Sequence, residues 1–282
     1  MPSTPLIRLG LIGDNIKRSK SPLLHRLAGE LCGLDIRYDI LIPSELGMSF
    51  DDAFESCRSS GYRGINVTYP YKEMVVSSAS VDDPRVAAIG ACNTVLFEGD
   101  GARGFNTDYS GFRAGFRAAF QGSTPGIVAI AGAGGVGKAI GFALADLGAS
   151  ALRLFDPDHS KAEKLVNALA RTVPDIPVSI SETIEDAVIG VDGLVNSTPL
   201  GMVGNPGTAI PKSLLGPQRW AFDAVYTPVD TEFLKNAREC GLEIISGYEL
   251  FLHQGADAFR IFTGHSTDIS DLREMIIKED NK

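Results

Sequence analysis

Hydrophobic and polar positions change period several times along the chain, and the changes mark out its elements. Short apolar stretches at residues 7–12, 37–40 and 64–67 read as strands. Between them Ser21-Pro22 opens a helical period that runs to about residue 31, and residues 52–59 carry another. Residues 94–97 and 103–106 flank Glu98-Gly-Asp-Gly-Ala102, the pattern of a hairpin with a glycine-bearing loop. Helical period returns over residues 109–120, which are expected to cross into a second domain.

From residue 127 the alternation becomes regular. A strand at 127–131, a helical run ending at Leu147-Gly148 and a strand at 151–155 are followed by helices over about 160–172, 184–188 and 231–239. Further strands fall near Val178, at the apolar run ending Val195-Asn196, at 221–225 and at 243–245. Strands alternating with helices predict a doubly wound parallel sheet. Helical period then covers residues 248–262 and 268–277. The expected architecture is α/β in two domains, one over residues 1–108 completed by helices in 248–282, the other over 109–247.

Composition narrows what such a molecule can do. The chain has 282 residues, 44% hydrophobic, enough for two packed domains. Lys and Arg total 26 against 35 Asp and Glu, a net charge of −9, and no basic block appears, so nucleic acid is excluded as the expected partner. Cys32, Cys57, Cys92 and Cys240 form no C-x-x-C pair, and His25, His159, His253 and His265 lie far apart, so no metal is expected. Met1-Pro-Ser-Thr-Pro5 has no charged start before an apolar run, and no stretch approaches a membrane span, which reads as a cytoplasmic protein without a membrane partner.

The loop between the strand at 127–131 and its helix carries the first chemistry. Gly132, Gly134 and Gly137 fit G-x-G-x-x-G, with Ala133, Gly135 and Val136 between them. The first glycine allows a tight turn, the second lets a pyrophosphate approach the backbone, and the third lets helix and strand pack closely. Unpaired N–H groups and the positive dipole end of the helix favour the phosphates. Asp156 ends the next strand at the spacing where a carboxylate accepts hydrogen bonds from the adenosine ribose of NAD. A 2′-phosphate there would meet a like charge, a repulsion of about 4 kcal/mol per unit pair at ~4 Å and an effective dielectric of about 20. NAD is therefore expected over NADP.

Other polar segments sit where strands end, the usual place for ligands in α/β sheets. Ser19-Lys-Ser-Pro22, Asn66-Val-Thr-Tyr-Pro-Tyr-Lys72, Gly90-Ala-Cys-Asn-Thr94, Asn106-Thr-Asp-Tyr-Ser-Gly111, Gly132-Ala-Gly-Gly135, Asn196-Ser-Thr-Pro-Leu-Gly-Met202, Asp223-Ala-Val-Tyr-Thr-Pro228 and Gln254 follow one another in order. In these segments the chain resembles the shikimate dehydrogenase family nearly end to end, and within it the NAD-dependent quinate/shikimate branch. The resemblance implies an N-terminal substrate domain and a Rossmann-type NAD-binding domain with the active site in the cleft between them. It also implies interconversion of a ring hydroxyl and a ketone on shikimate or quinate.

The same resemblance assigns residues. Lys72 and Asp108 would be the catalytic pair, Lys72 moving the hydroxyl proton and Asp108 orienting amine and substrate. Burial lowers a lysine's pKa and a neighbouring carboxylate raises it, so such a pair can exchange a proton near neutral pH. Ser19 and Ser21 would hold the substrate carboxylate, and Asn66, Thr68, Asn93 and Gln254 its hydroxyls, with Tyr226 bordering the site. Thr198, Pro199, Met202, Val225 and Gly247 would lie near the nicotinamide. Taken singly, Lys72 and Asp108 read more readily as a surface ion pair, and the serines, amides and Thr68 as helix caps or turns, while Pro199 and Met202 read equally well as apolar packing.

Departures from the family pattern point the same way on the coenzyme. Where many shikimate-specific members carry an Asn-Arg-Thr-like phosphate clamp, this chain has Phe155-Asp-Pro-Asp-His-Ser160. Arg18, Arg26 and Ser246 stand where His, Asn and Asp are common, which leaves the choice among shikimate, quinate and an aminated ring acid open. A regulatory NAD sensor without turnover is the reading from another class. The small-molecule partner is a ring carboxylate, and both monomer and homodimer remain open.

Overall fold

A computed structural model describes residues 5–280, so the reading of the first four residues lies outside the described part. The chain divides into two compact units. Among the described residues, those up to Thr107 and from Leu252 onward form unit 1, and Asp108–Phe251 forms unit 2.

Unit 1 begins with β1 (Leu6–Ile12), α1 (Ser21–Cys32), β2 (Asp35–Leu41), α2 (Pro43–Leu46), α3 (Phe50–Ser59) and β3 (Gly64–Val67). It continues with α4 (Pro84–Ile89), β4 (Thr94–Glu98) and β5 (Gly101–Phe105). The strands form one sheet in the order β2-β1-β3-β4-β5, with β1 parallel to β2 and β3, and β4 antiparallel to both its neighbours. Ile12, Phe54, Ile65, Val67, Cys92 and Val95 fill the core on one face. Leu9, Leu96, Ala258 and Phe262 cover the other. Gly64 is required there: a Cβ would stand 2.5 Å from the Phe262 ring.

The helix α5 (Thr107–Ala119) leads into β6 (Ile127–Ala131), α6 (Gly135–Asp146), β7 (Ala151–Phe155), α7 (His159–Thr172), β8 (Val178–Ile180), α8 (Ile184–Ala187) and β9 (Gly193–Asn196). After β10 (Trp220–Asp223), α9 (Glu232–Glu239) and β11 (Glu243–Ile245), α10 (Gly247–Thr263) returns to unit 1, where α11 (Ile269–Asp280) packs on α1. The unit 2 sheet runs β11-β10-β9-β6-β7-β8, every pair parallel. Strand order therefore reverses between β6 and β9, the switch point of a doubly wound fold.

The hairpin is one step longer than the pattern implies, and α5 starts at Thr107, which puts Asp108 in its first turn. Pattern reading passes over α2 and α4, of four and six residues. No helix among the described residues is long and apolar enough to cross a membrane.

Candidate functional site

Strand register gathers the polar segments of unit 1 at one end of its sheet. Ile12 at the end of β1 pairs with Val67 at the end of β3, while Asn66 pairs with Thr94, and Thr94 with Phe105. The loops after β1, β3 and β5 and the approach to β4 must then lie together. Gly13 permits this closeness, since a Cβ there would stand 2.3 Å from the Thr68 methyl.

A chain of amides and hydroxyls occupies that end. Tyr38 Oη donates to Asn66 Oδ1 at 2.9 Å, and Asn66 Nδ2 donates to the Asn93 carbonyl at 3.2 Å and Thr94 Oγ1 at 3.0 Å. Asn93 Oδ1 accepts the Thr107 N–H at 2.7 Å, Asn93 Nδ2 donates to Thr107 Oγ1 at 3.0 Å, and Thr107 Oγ1 donates to Gln254 Oε1 at 3.4 Å. Asn66 and Asn93 are buried, where an unpaired amide costs about 1–3 kcal/mol, so the network holds each amide in one orientation. Lys72 is tied in through its carbonyl, which accepts the Cys92 N–H at 2.8 Å. Asp108 is buried and follows Thr107 directly in the first turn of α5, where the helix dipole favours a carboxylate.

Ser19 and Ser21 stand at the start of α1. Their hydroxyls are 3.1 Å apart, and Ser19 Oγ accepts the Ser21 N–H at 3.2 Å. The N-cap position is Lys20, whose side chain makes no capping bond, and Pro22 follows in the first turn. The Ser19 hydroxyl therefore does the work of a cap here, and Pro22 contributes no N–H. Below it His25 is buried, stacked on Tyr38 with ring centroids 4.8 Å apart, and burial pushes its pKa down to about 3. Arg18 and Arg26 are exposed, Arg26 pairing with Glu30.

In unit 2 all strands are parallel, so the loops after β6, β7, β9 and β10 share one end. The three loop glycines meet different demands. Gly132 has φ +99°, a region side chains rarely adopt, and a Cβ on Gly137 would stand 2.2 Å from the Gly132 carbonyl oxygen. Gly134, at the N-cap of α6, has nothing within 4 Å of a built Cβ. The loop is tight where it turns and open where a phosphate would approach, which suits a dinucleotide pyrophosphate. Gly135 and Val136 begin the helix behind it.

Asp156 is fixed from two sides: Oδ2 accepts the Ala133 N–H at 2.7 Å and Oδ1 accepts the Asp158 N–H at 2.9 Å. Across the switch point Ser197 Oγ donates to the carbonyls of Ala131 and Gly132, both at 2.8 Å. Thr198 bonds to Asn196 Oδ1, Pro199 is exposed and Met202 is half-buried. Gly247 lets the start of α10 approach the segment just after β10, since a Cβ would stand 2.5 Å from the Val225 carbonyl oxygen. Tyr226 lies in unit 2, half-buried and stacked on Phe251 at 5.1 Å.

Residue patterns missed Tyr38, which sets the Asn66 amide, and the buried trio Asn196, Asp223 and Thr231. Asp223 accepts from Asn196 Nδ2 at 2.9 Å, from the Val225 N–H at 3.0 Å and from Thr231 Oγ1 at 2.6 Å, while burial pushes its pKa up to about 6. Asn196 and Asp223 stand inside motifs visible in the sequence; Tyr38 carries no local signal.

Residues 11–95 match the family of the shikimate dehydrogenase substrate binding domain. The quinate/shikimate dehydrogenase (NAD(+)) of Corynebacterium efficiens is 37% identical over 277 residues, covering 96% of this chain and 98% of that protein. The shikimate dehydrogenase (NADP(+)) of Pseudarthrobacter chlorophenolicus is 35% identical, with 96% and 94% covered. Among solved structures, the quinate dehydrogenase from Corynebacterium glutamicum in complex with NAD superposes with a TM-score of 0.89 at 35% identity, covering 96% of this chain and 99% of that one.

Proposed function

Because the chain belongs to the shikimate dehydrogenase family, we propose that it interconverts a ring hydroxyl and a ketone on shikimate or quinate with NAD as the preferred coenzyme. The observation that carries the coenzyme choice is the Asp156 carboxylate, held at the end of β7 beside the glycine loop. It can accept ribose hydroxyls and repels a 2′-phosphate. Support also comes from relatives named for NAD, although others are named for NADP.

NAD, when bound, supplies the hydride acceptor for oxidation of the ring carbinol. Lys72 Nζ takes the hydroxyl proton in that direction and returns it in reduction. Asp108 orients the ammonium and the reacting hydroxyl. Ser19 and Ser21 hold the ring carboxylate with their hydroxyls at the start of α1, where the helix dipole favours an anion. Asn66, Thr68, Asn93 and Gln254 hold the remaining hydroxyls, since amide and hydroxyl groups both donate and accept.

Steady-state rates with shikimate and with quinate, each with NAD and NADP, test the reading directly. NADH should form from at least one ring acid, and Lys72→Ala should lose about 10²–10⁴-fold in kcat while its NAD affinity by calorimetry stays near wild type. A fully active Lys72→Ala enzyme, or NAD binding without oxidation of any ring acid, would refute it.

A further inference from the structure

A dinucleotide seated on the glycine loop spans the switch point between β6 and β9, with its adenosine half on the β7 side, where Asp156 stands. Its nicotinamide half must then lie over the ends of β9 and β10, so the loop after β9 decides how that half is received. Ser197 ties the start of this loop to the glycine loop through the Ala131 and Gly132 carbonyls. Farther along, the loop turns through Gly201, at φ +98°, and the Val203 N–H donates to the Thr227 carbonyl at 3.0 Å. Between these two anchors its course is set by one buried amide.

That amide belongs to Asn196, fully buried at the end of β9. Oδ1 accepts from the Thr198 N–H at 3.0 Å and from Thr198 Oγ1 at 2.7 Å, while Nδ2 donates to the Leu200 carbonyl at 3.1 Å and to Asp223 Oδ1 at 2.9 Å. Thr198 Oγ1 in turn accepts the Leu200 N–H at 3.2 Å. The amide turned over would set Nδ2 against the Thr198 N–H and Oδ1 against the Leu200 carbonyl, donor on donor and acceptor on acceptor. Asp223 opposes that arrangement from the other side, since a carboxylate only accepts and its Oδ1 also takes the Val225 N–H at 3.0 Å.

We propose, on the NAD reading given above, that Asp223 is a positioning residue for the nicotinamide half of the coenzyme, fixing the Asn196 amide and through it the course of residues 198–200. Asp223 itself is completely buried at the end of β10, with Oδ2 accepting from Thr231 Oγ1 at 2.6 Å. The position requires an acceptor at Oδ1 rather than charge, which burial already disfavours by pushing the Asp223 pKa up to about 6. Asparagine meets that requirement, with its carbonyl toward Asn196 and its NH2 donating to the Thr231 hydroxyl. Alanine does not, and leaves the Asn196 amide free to turn.

Calorimetric titrations with NAD and with ADP-ribose, which lacks the nicotinamide, test this beside thermal melts. Asp223→Ala should weaken NAD binding roughly tenfold and leave ADP-ribose within about twofold of wild type, and Asp223→Asn should restore the NAD affinity. Thr231→Val, which removes the bond at Oδ2 and the cap of α9, should lower Tm without moving the ratio of the two affinities. If Asp223→Ala melts below the titration temperature, the double variant Asn196→Leu with Asp223→Leu, which leaves neither member of the pair unpaired, carries the same expectation. Equal losses for NAD and ADP-ribose, or an NAD affinity untouched by the loss of Asp223, overturn the proposal, and so does a Thr231→Val enzyme with the same selective loss. A wild-type chain that binds neither ligand refutes the NAD reading itself, and the proposal with it.

Discussion

Both oxygens of Asp156 already accept a backbone N–H, one from the glycine loop at Ala133 and one from Asp158. A carboxylate has about four acceptor sites, so ribose hydroxyls can share the group with its tethers. Asp156→Ala then does two things at once. It removes the charge that disfavours a 2′-phosphate and frees the Ala133 amide, so the ratio of kcat/KM for NAD over NADP should fall, mainly through a higher KM for NAD. The loss should be roughly ten- to a hundredfold, as for charge-assisted hydrogen bonds of about 1.5–3 kcal/mol, and an unchanged ratio would remove the selective role from this residue. Asp156 is legible in the sequence because it lies at the end of an apolar strand at a set spacing from the loop. Its bond to Ala133 is not legible, because it depends on how β6 and β7 are aligned.

The glycine loop and α6 show how one element meets structural and ligand demands at separate residues. Gly137 is packed against the Gly132 carbonyl, whereas Gly134 faces open space. Gly137→Ala should therefore destabilise the fold by about 1–3 kcal/mol, as overpacking does, and lower Tm. Gly134→Ala should keep the wild-type melt and weaken NAD binding, because its new methyl occupies the space a phosphate would use. Calorimetric NAD titration beside thermal melts separates the two; equal melting losses in both variants would contradict this division. The order and type of the long elements follow from hydrophobic period. Placement of Asn66, Asn93, Thr107 and Gln254 in one network does not, since they belong to or adjoin β3, β4, α5 and α10.

Across the whole molecule, two buried groups give stability opposite dependences on pH. His25 in unit 1 has its pKa lowered to about 3 from an unfolded value near 6.5, so the unfolded chain takes up the proton first. Its contribution is present above pH 6.5 and is lost as pH falls through 3. Asp223 in unit 2 has its pKa raised from 3.8 to about 6, so its contribution is present below 3.8 and lost as pH rises through 6, a change of about 3 kcal/mol. Denaturant unfolding between pH 4 and 8 should show Asp223→Asn gaining stability relative to wild type as pH rises, and His25→Gln gaining as pH falls. Parallel curves for variants and wild type would contradict the burial of charge as the cause. The sequence by itself determined the order of elements, the glycine turn, the acid that follows it and the family motifs, because each is carried by neighbours along the chain. Only the tertiary structure decided that Tyr38 sets the Asn66 amide, that Asp156 ties down the loop, and that His25 and Asp223 are buried. Those depend on strand order and register, which bring together residues whose separation in sequence no local period encodes.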